Sequence, residues 1–182
     1  AVDKHVLAEF LRGLGVRFPK RAAEIWRKIS HILVGKYGGD PRNITKEPLT
    51  IEEIKQKLKE FPSLRGPKLL NFYIRVMGET GLFKISNLSD LDIPVDRQVF
   101  RFTVYTGVLK ISGKTRFKCE DINKLRSIVQ SVWRKAAKAH GEAPWKLDEP
   151  MWNIGSKLCS KKKCGICPVK NLCDKNFNLV LP

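Results

Sequence analysis

Four of the five cysteines of this 182-residue chain lie within LCSKKKCGICPVKNLC, at Cys159, Cys164, Cys167 and Cys173. The array is C-x4-C-x2-C-x5-C, compact enough for one short, loop-rich segment to bring all four thiols to a single metal centre. Four thiolates suit a tetrahedral zinc or a 4Fe-4S cluster. Zinc sites usually pair two short knuckles across a longer gap, whereas these ligands run consecutively with one close pair flanked by wider gaps. The spacing therefore favours an iron-sulfur cluster and leaves zinc as the alternative. Cys119 stands outside the array at the foot of a helical segment and is expected to be a small buried apolar residue with no chemical role.

A second stretch has chemistry of another kind. FPSLRGPK, residues 61–68, breaks a helical pattern with two prolines and a glycine, and LLNFYIRVM resumes it at once. A helix-hairpin-helix of this form offers the amides of its turn, and the N-terminus of its second helix, to phosphate oxygens. Gly66 is expected to take the positive φ of the turn, Pro67 suits the first position of the following helix, and Arg65 and Lys68 supply charge.

The elements that position these stretches are helical. Val6, Leu7, Phe10, Leu11 and Leu14 have helical spacing, as do Ala22, Ile25, Trp26, Ile29 and Leu33. Thr50 and Glu53 form a capping-box pattern ahead of Ile54 and Leu58. Asp96 sits where an N-cap would open RQVFRFTVYTG, a long helix follows around Ile122, Leu125, Val129, Val132 and Ala136, and a final short helix, MWNIGSKL, delivers Cys159. No strand alternation persists and no repeat appears, so the predicted class is all-α. The division expected is a helical part with the hairpin over residues 1–112 and a helical part with the cysteine loop over residues 113–182.

Lys and Arg number 35 against 18 Asp and Glu, a net charge of +17. The natural counter-surface for that imbalance is a nucleic-acid backbone. No apolar run approaches a membrane span and the first residues lack the apolar core of a signal peptide. A soluble, intracellular protein is expected, in a compartment where clustered thiols are metal ligands more often than disulfides. Lys161, Lys162 and Lys163 stand between the first two cysteines, on a loop that a metal would hold rigid. They are read as contacts to DNA phosphates, against the plainer alternative of a solvated charge run.

Together these stretches resemble the helix-hairpin-helix DNA glycosylases of the endonuclease III superfamily. The family's hairpin looks like L-P-G-V-G-x-K and is followed by a V-D-T-H-V segment; here FPSLRGPKLLNF and IPVDRQVFRF stand in those places, and the four-cysteine array closes the chain as in the iron-sulfur members. RGPKLLNFYIRVM and the long interval to Asp96 are also similar to archaeal 8-oxoguanine DNA glycosylases, which suggests an archaeal, cytoplasmic or nucleoid protein. The first cysteine gap is shorter than in endonuclease III, and Ser63 replaces a hairpin glycine. The family normally has several helices ahead of the one at residues 5–14.

The resemblance implies a base-excision repair enzyme that acts as a monomer on double-stranded DNA containing a damaged or mismatched base. It places the family's essential aspartate at Asp96, which would stabilise the cationic sugar as the base departs and help the nucleophile, while serving as an N-cap. Anchored on Gly66, it places the lysine of the strand-cutting members at Lys68, which would attack the sugar C1′ and form a Schiff base. The alternatives are a phosphate contact for Lys68, a monofunctional glycosylase with Asp96 activating water, and a DNA-binding module without catalysis. Phe72, Tyr73, Trp26 and Trp133 are candidates to stack on a flipped base, although their helical spacing fits a core role better.

Overall fold

A computed structural model describes residues 2–181. The chain is helical throughout, as its patterning predicts, and among the described residues the only β-type pairing is two isolated bridges, Leu49 with Ile85 and Arg116 with Val180. It forms two compact units, Ala1–Ser86 and Asn87–Pro182. The expected division between residues 112 and 113 lies inside the second unit.

In the first unit, α1 (Lys4–Gly13) and α2 (Pro19–Tyr37) pack as a pair through small side chains. Asp3 caps α1 by accepting the amides of His5 and Val6 at 2.7 and 3.3 Å. Ala8 and Leu11 of α1 meet Ala23 of α2, while Val6 and Phe10 of the same helix and Leu14 at its C-cap stay exposed. The apolar residues of α1 thus divide between two faces instead of forming one buried stripe. On α2 the most buried residue is Ala23, and Trp26 is exposed.

The expected capping box opens α3 (Ile51–Leu58): Glu53 donates its amide to Thr50 Oγ1 at 3.3 Å, and the Thr50 amide reaches Glu53 Oε2 at 2.8 Å. Ile51, Ile54 and Leu58 are then fully buried, each contributing roughly 1.5–3 kcal/mol relative to an exposed position. Behind the hairpin, α4 (Pro67–Glu79) buries Leu70, Ile74 and Met77.

The second unit is built around α5 (Arg97–Tyr105), a helix buried on nearly every side through Val99, Phe100, Phe102, Thr103, Val104 and Tyr105. The long α6 (Cys119–Ala139) lies along it: Trp133 stacks on Phe102 with ring centroids 5.9 Å apart and donates its indole N–H to Thr103 Oγ1 at 2.9 Å. Gln130 Nε2 reaches the Ile93 carbonyl at 2.9 Å, and Arg134 pairs with Asp92 through two bonds of 2.8 and 2.5 Å. These tie α6 to the extended segment that feeds α5. Cys119, at the first position of α6, is exposed. It is not the buried apolar residue expected: at this end of α6 Phe117 and Ile122 fill the core, and Cys119, between them, lies on the solvent side with Lys118 and Glu120.

The short α7 (Asp148–Asn153) passes into a π-turn over Ile154–Leu158 and a 3-10 turn over Cys159–Lys161. A π-turn widens the helix by one residue and tends to occur where side chains must be re-aimed. Gly155 sits in it, and a Cβ at that position would collide with the carbonyl of Gln98 on α5. Only glycine lets the segment lie this close to the first turn of α5.

Candidate functional site

In the first unit, the hairpin leaves α3 at Leu58 and enters α4 at Pro67, held by amide-to-carbonyl bonds from Phe61 to Leu58 and from Leu64 to Phe61, at 3.1 and 3.0 Å. Phe61 is buried and anchors the turn. Gly66 is the N-cap of α4 but has φ −85° and ψ 134°, an extended backbone open to any residue. The expectation of a positive φ there is wrong, because Pro62 and the buried Phe61 already turn the chain. No side chain caps α4, and Pro67 occupies its first position. The first amides of α4 thus belong to a helix end whose partial positive charge suits an anion.

Lys68 is exposed on that first turn, next to exposed Arg65 and Gly66. Leu69 and Phe72 continue the face at 45% and 43% exposure, with the Arg75 guanidinium 5.4 Å from the Phe72 ring centroid. Of the four aromatics considered for stacking, Phe72 and Trp26 are exposed, Tyr73 packs edge-on against Phe83, and Trp133 belongs to the core. Below the hairpin, Ile29, Leu33, Ile44, Leu58, Leu64 and Tyr73 border an apolar cavity of about 280 Å³.

In the second unit, Asp96 opens α5 as its spacing predicts. The segment before it is fixed by Ile93 and Val95, both with no exposed surface. Oδ1 of Asp96 accepts the amides of Gln98 and Val99 at 2.7 and 3.0 Å, and Oδ2 accepts the indole N–H of Trp152 at 3.2 Å. The carboxylate is half-buried, and these three donors engage both of its oxygens. Trp152 escapes a reading of the sequence because the contact joins residues 56 positions apart and no motif spacing marks it. The only local signal is its place in MWNIGSKLC, the stretch that ends in the first cysteine.

All four cysteines of the array are free thiols bordering one cavity, with Leu158, Val169 and Phe177 as apolar walls and Lys163 and Lys170 at its edge. Burial, followed by the three other thiols, pushes Cys159 up to about 11, so thiolate charge there calls for compensation. By donor chemistry, four thiols are a set that fits either metal group. Among the described residues, however, no three cysteine, histidine or carboxylate side chains converge tightly enough for one metal ion. The loop is also bonded to the far end of α5: Cys173 Sγ lies 3.5 Å from the Tyr105 carbonyl, and the amides of Asn176 and Asp174 reach the carbonyls of Tyr105 and Thr106 at 3.0 and 3.2 Å. Lys161, Lys162 and Lys163 are exposed; Lys162 has a left-handed backbone, φ 52°, and its ammonium lies 5.4 Å from the Phe177 ring centroid.

A family model described as AGOG, N-glycosylase/DNA lyase, matches residues 67–179. The chain belongs to this family. One continuous match takes in Lys68, Asp96, Trp152 and all four cysteines, and leaves Arg65 and Gly66 just ahead of it. Membership in the AGOG family makes the protein a DNA glycosylase of the helix-hairpin-helix superfamily, with DNA as its substrate, as the hairpin and the net charge of +17 suggest. No curated protein and no solved structure matches the chain. No helix of the described residues is long and apolar enough to cross a membrane.

Proposed function

We propose that this AGOG-family glycosylase is bifunctional, removing a damaged base from duplex DNA and then cutting the strand, with 8-oxoguanine as the first candidate lesion. The target nucleotide is flipped out of the duplex, at a cost of a few kcal/mol that a lesion or mismatch reduces. The neutral amine of Lys68 attacks C1′; the bond from nitrogen to C1′ forms as the glycosidic bond breaks, and the base leaves with the bonding pair and takes up a proton. Loss of one amine proton and cleavage of the C1′–O4′ bond, with O4′ taking up a proton, give the protonated Schiff base, and removal of a C2′ proton then lets β-elimination expel the 3′ phosphate. Asp96 stabilises the positive charge that develops at C1′ as the base departs.

The observation that carries this reading is Lys68 itself. It is an exposed lysine on the first turn of α4, at a helix end with no side-chain cap, inside the segment that matches a family described as N-glycosylase/DNA lyase. Borohydride trapping tests it with duplexes carrying 8-oxoguanine, uracil, hypoxanthine or an oxidised pyrimidine. A covalent adduct is expected with the parent protein and none with Lys68→Ala. Base release without an adduct would establish a monofunctional enzyme with Asp96 activating water, and neither release nor adduct would leave a DNA-binding module.

Cys159, Cys164, Cys167 and Cys173 are proposed to hold a 4Fe-4S cluster, which would act as a rigid structural mount. What favours a multi-iron group over a single zinc is the consecutive C-x4-C-x2-C-x5-C spacing, with all four thiols bordering one cavity. Brown protein with iron and sulfide is expected; colourless protein containing zinc would overturn the assignment. Lys161, Lys162 and Lys163 contact phosphates, as do Arg65 and the hairpin amides, and the enzyme works as a monomer.

A further inference from the structure

We infer that Trp152 is a positioning residue for the glycosylase reaction, holding the Asp96 carboxylate in its working orientation through the indole N–H. The inference rests on Asp96 being the catalytic carboxylate. Two backbone amides hold Oδ1 of Asp96. The indole N–H of Trp152, 3.2 Å from Oδ2, puts a donor on the second oxygen. Donors on both oxygens of a carboxylate define its plane.

The way Trp152 is delivered supports a positioning role. Asp148 and Met151 are buried and seat α7, so its register is fixed by the core. Three residues after Trp152, Gly155 lies against the Gln98 carbonyl, in the same first turn of α5 that Asp96 caps. The chain then reaches Cys159, half-buried in the wall of the cysteine cavity. Trp152 is thus held on both sides, and its indole edge meets Asp96 while 43% of the residue remains exposed.

Single-turnover excision on an 8-oxoguanine duplex tests the inference with Trp152→Phe, Trp152→Ala and Asp96→Asn, each checked for folding by thermal melting. Trp152→Phe keeps a ring but loses the N–H; it is expected to slow the maximal rate about tenfold, the worth of one hydrogen bond to a charged group at a partly exposed site. The DNA concentration for half-maximal rate should hardly change, and Trp152→Ala should be slowed to the same extent. A parent-like rate in Trp152→Phe alongside a slow Trp152→Ala would mean that the ring alone matters and would overturn the proposal. So would a loss confined to DNA affinity. Asp96→Asn separates the two levels: if it keeps the parent's rate, the reading of Asp96 falls, whereas an inactive Asp96→Asn with a fully active Trp152→Phe overturns only the role of Trp152. Gly155→Ala, which forces the π-turn off Gln98, should reproduce the Trp152→Phe defect in folded protein.

Discussion

Asp96→Asn separates the two roles of this carboxylate, because asparagine caps helices about as well as aspartate. Its amide oxygen can take the place of Oδ1 and still accept the amides of Gln98 and Val99. The amide nitrogen then stands where Oδ2 accepts the indole N–H at 3.2 Å, so two donors face each other and that bond is lost. One neutral-to-charged hydrogen bond at a partly exposed site is worth about 1 kcal/mol in stability. Unfolding entropy near 2.1 cal/mol/K per residue makes that a fall in Tm of about 2–4 °C for a chain of this size. Asp96→Ala loses the cap as well, a further 0.5–2 kcal/mol or about 1–5 °C.

The catalytic effect should be much larger than these stability losses. Removing the negative charge beside a developing cationic sugar is expected to slow base excision by about 10²–10⁴-fold. The assay is single-turnover release of 8-oxoguanine at saturating enzyme, with the melt recorded on the same preparation. An Asp96→Asn variant that melts within a few degrees of the parent yet excises at least about a hundredfold more slowly fits a carboxylate that both caps and catalyses. Excision within threefold of the parent refutes the catalytic role and leaves Asp96 a cap. A Tm loss as large as that of Asp96→Ala refutes the claim that asparagine preserves the cap.

Further outcomes follow from other parts of the molecule. Replacing Lys161, Lys162 and Lys163 with glutamine should weaken DNA binding and lower the slope of log K against log salt by about 2–3, read by anisotropy titration at several salt concentrations. The maximal single-turnover rate should be unaffected. In metal-free protein at pH 8, with Cys159 pushed up to about 11, about one thiol in a thousand is ionised there, so exposed Cys119 should be alkylated by iodoacetamide well before Cys159, as read by mass spectrometry. Because burial favours the protonated thiol, the contribution of Cys159 to apoprotein stability is complete below pH 9 and is lost as pH rises from its ordinary 9.0 towards 11. Thr50→Ala, which breaks the reciprocal cap of α3, should cost about 1 kcal/mol in urea melts and leave the cysteine site unaltered.

What the sequence discloses here is mainly what is set by neighbours along the chain. The box at Thr50 and Glu53, the cap at Asp96 and the stop and restart around Pro62 and Pro67 each depend on groups within a few residues, and all three are legible in the sequence. What escapes depends on partners far along the chain. Apolar spacing in α1 gives no sign that Val6, Phe10 and Leu14 face away from the Ala8 and Leu11 seam, since the pairing with α2 through Ala23 decides which stripe is buried. Gly66 has the identity expected of a left-handed turn but an extended backbone, because the hairpin makes its turn earlier. Cys119 has the composition of a core residue and the position of a helix end. Trp152 acquires meaning only from its bond to Asp96, and that bond depends on a π-turn and a glycine that no periodicity reveals.

These long-range contacts also change the part that the cysteine segment plays in the second unit. Its lysines make it look like a clamp on DNA, attached to the fold but apart from the chemistry. Yet the stretch from Trp152 to Asn176 meets α5 at both ends. At the N-terminal end, Gly155 lies on Gln98 and Trp152 holds Asp96; at the C-terminal end, Cys173, Asp174 and Asn176 sit on the carbonyls of Tyr105 and Thr106. A buried nine-residue helix gripped at both ends has little freedom to slide or rotate, and Asp96, as its cap, shares that constraint. A group bound by the four thiols, as proposed, would close the loop between the two grips and so stiffen them together. On this argument the cysteine array and the proposed catalytic carboxylate are parts of one mechanical unit: the array would provide no reacting group, and its contribution to catalysis would be the fixed position of Asp96.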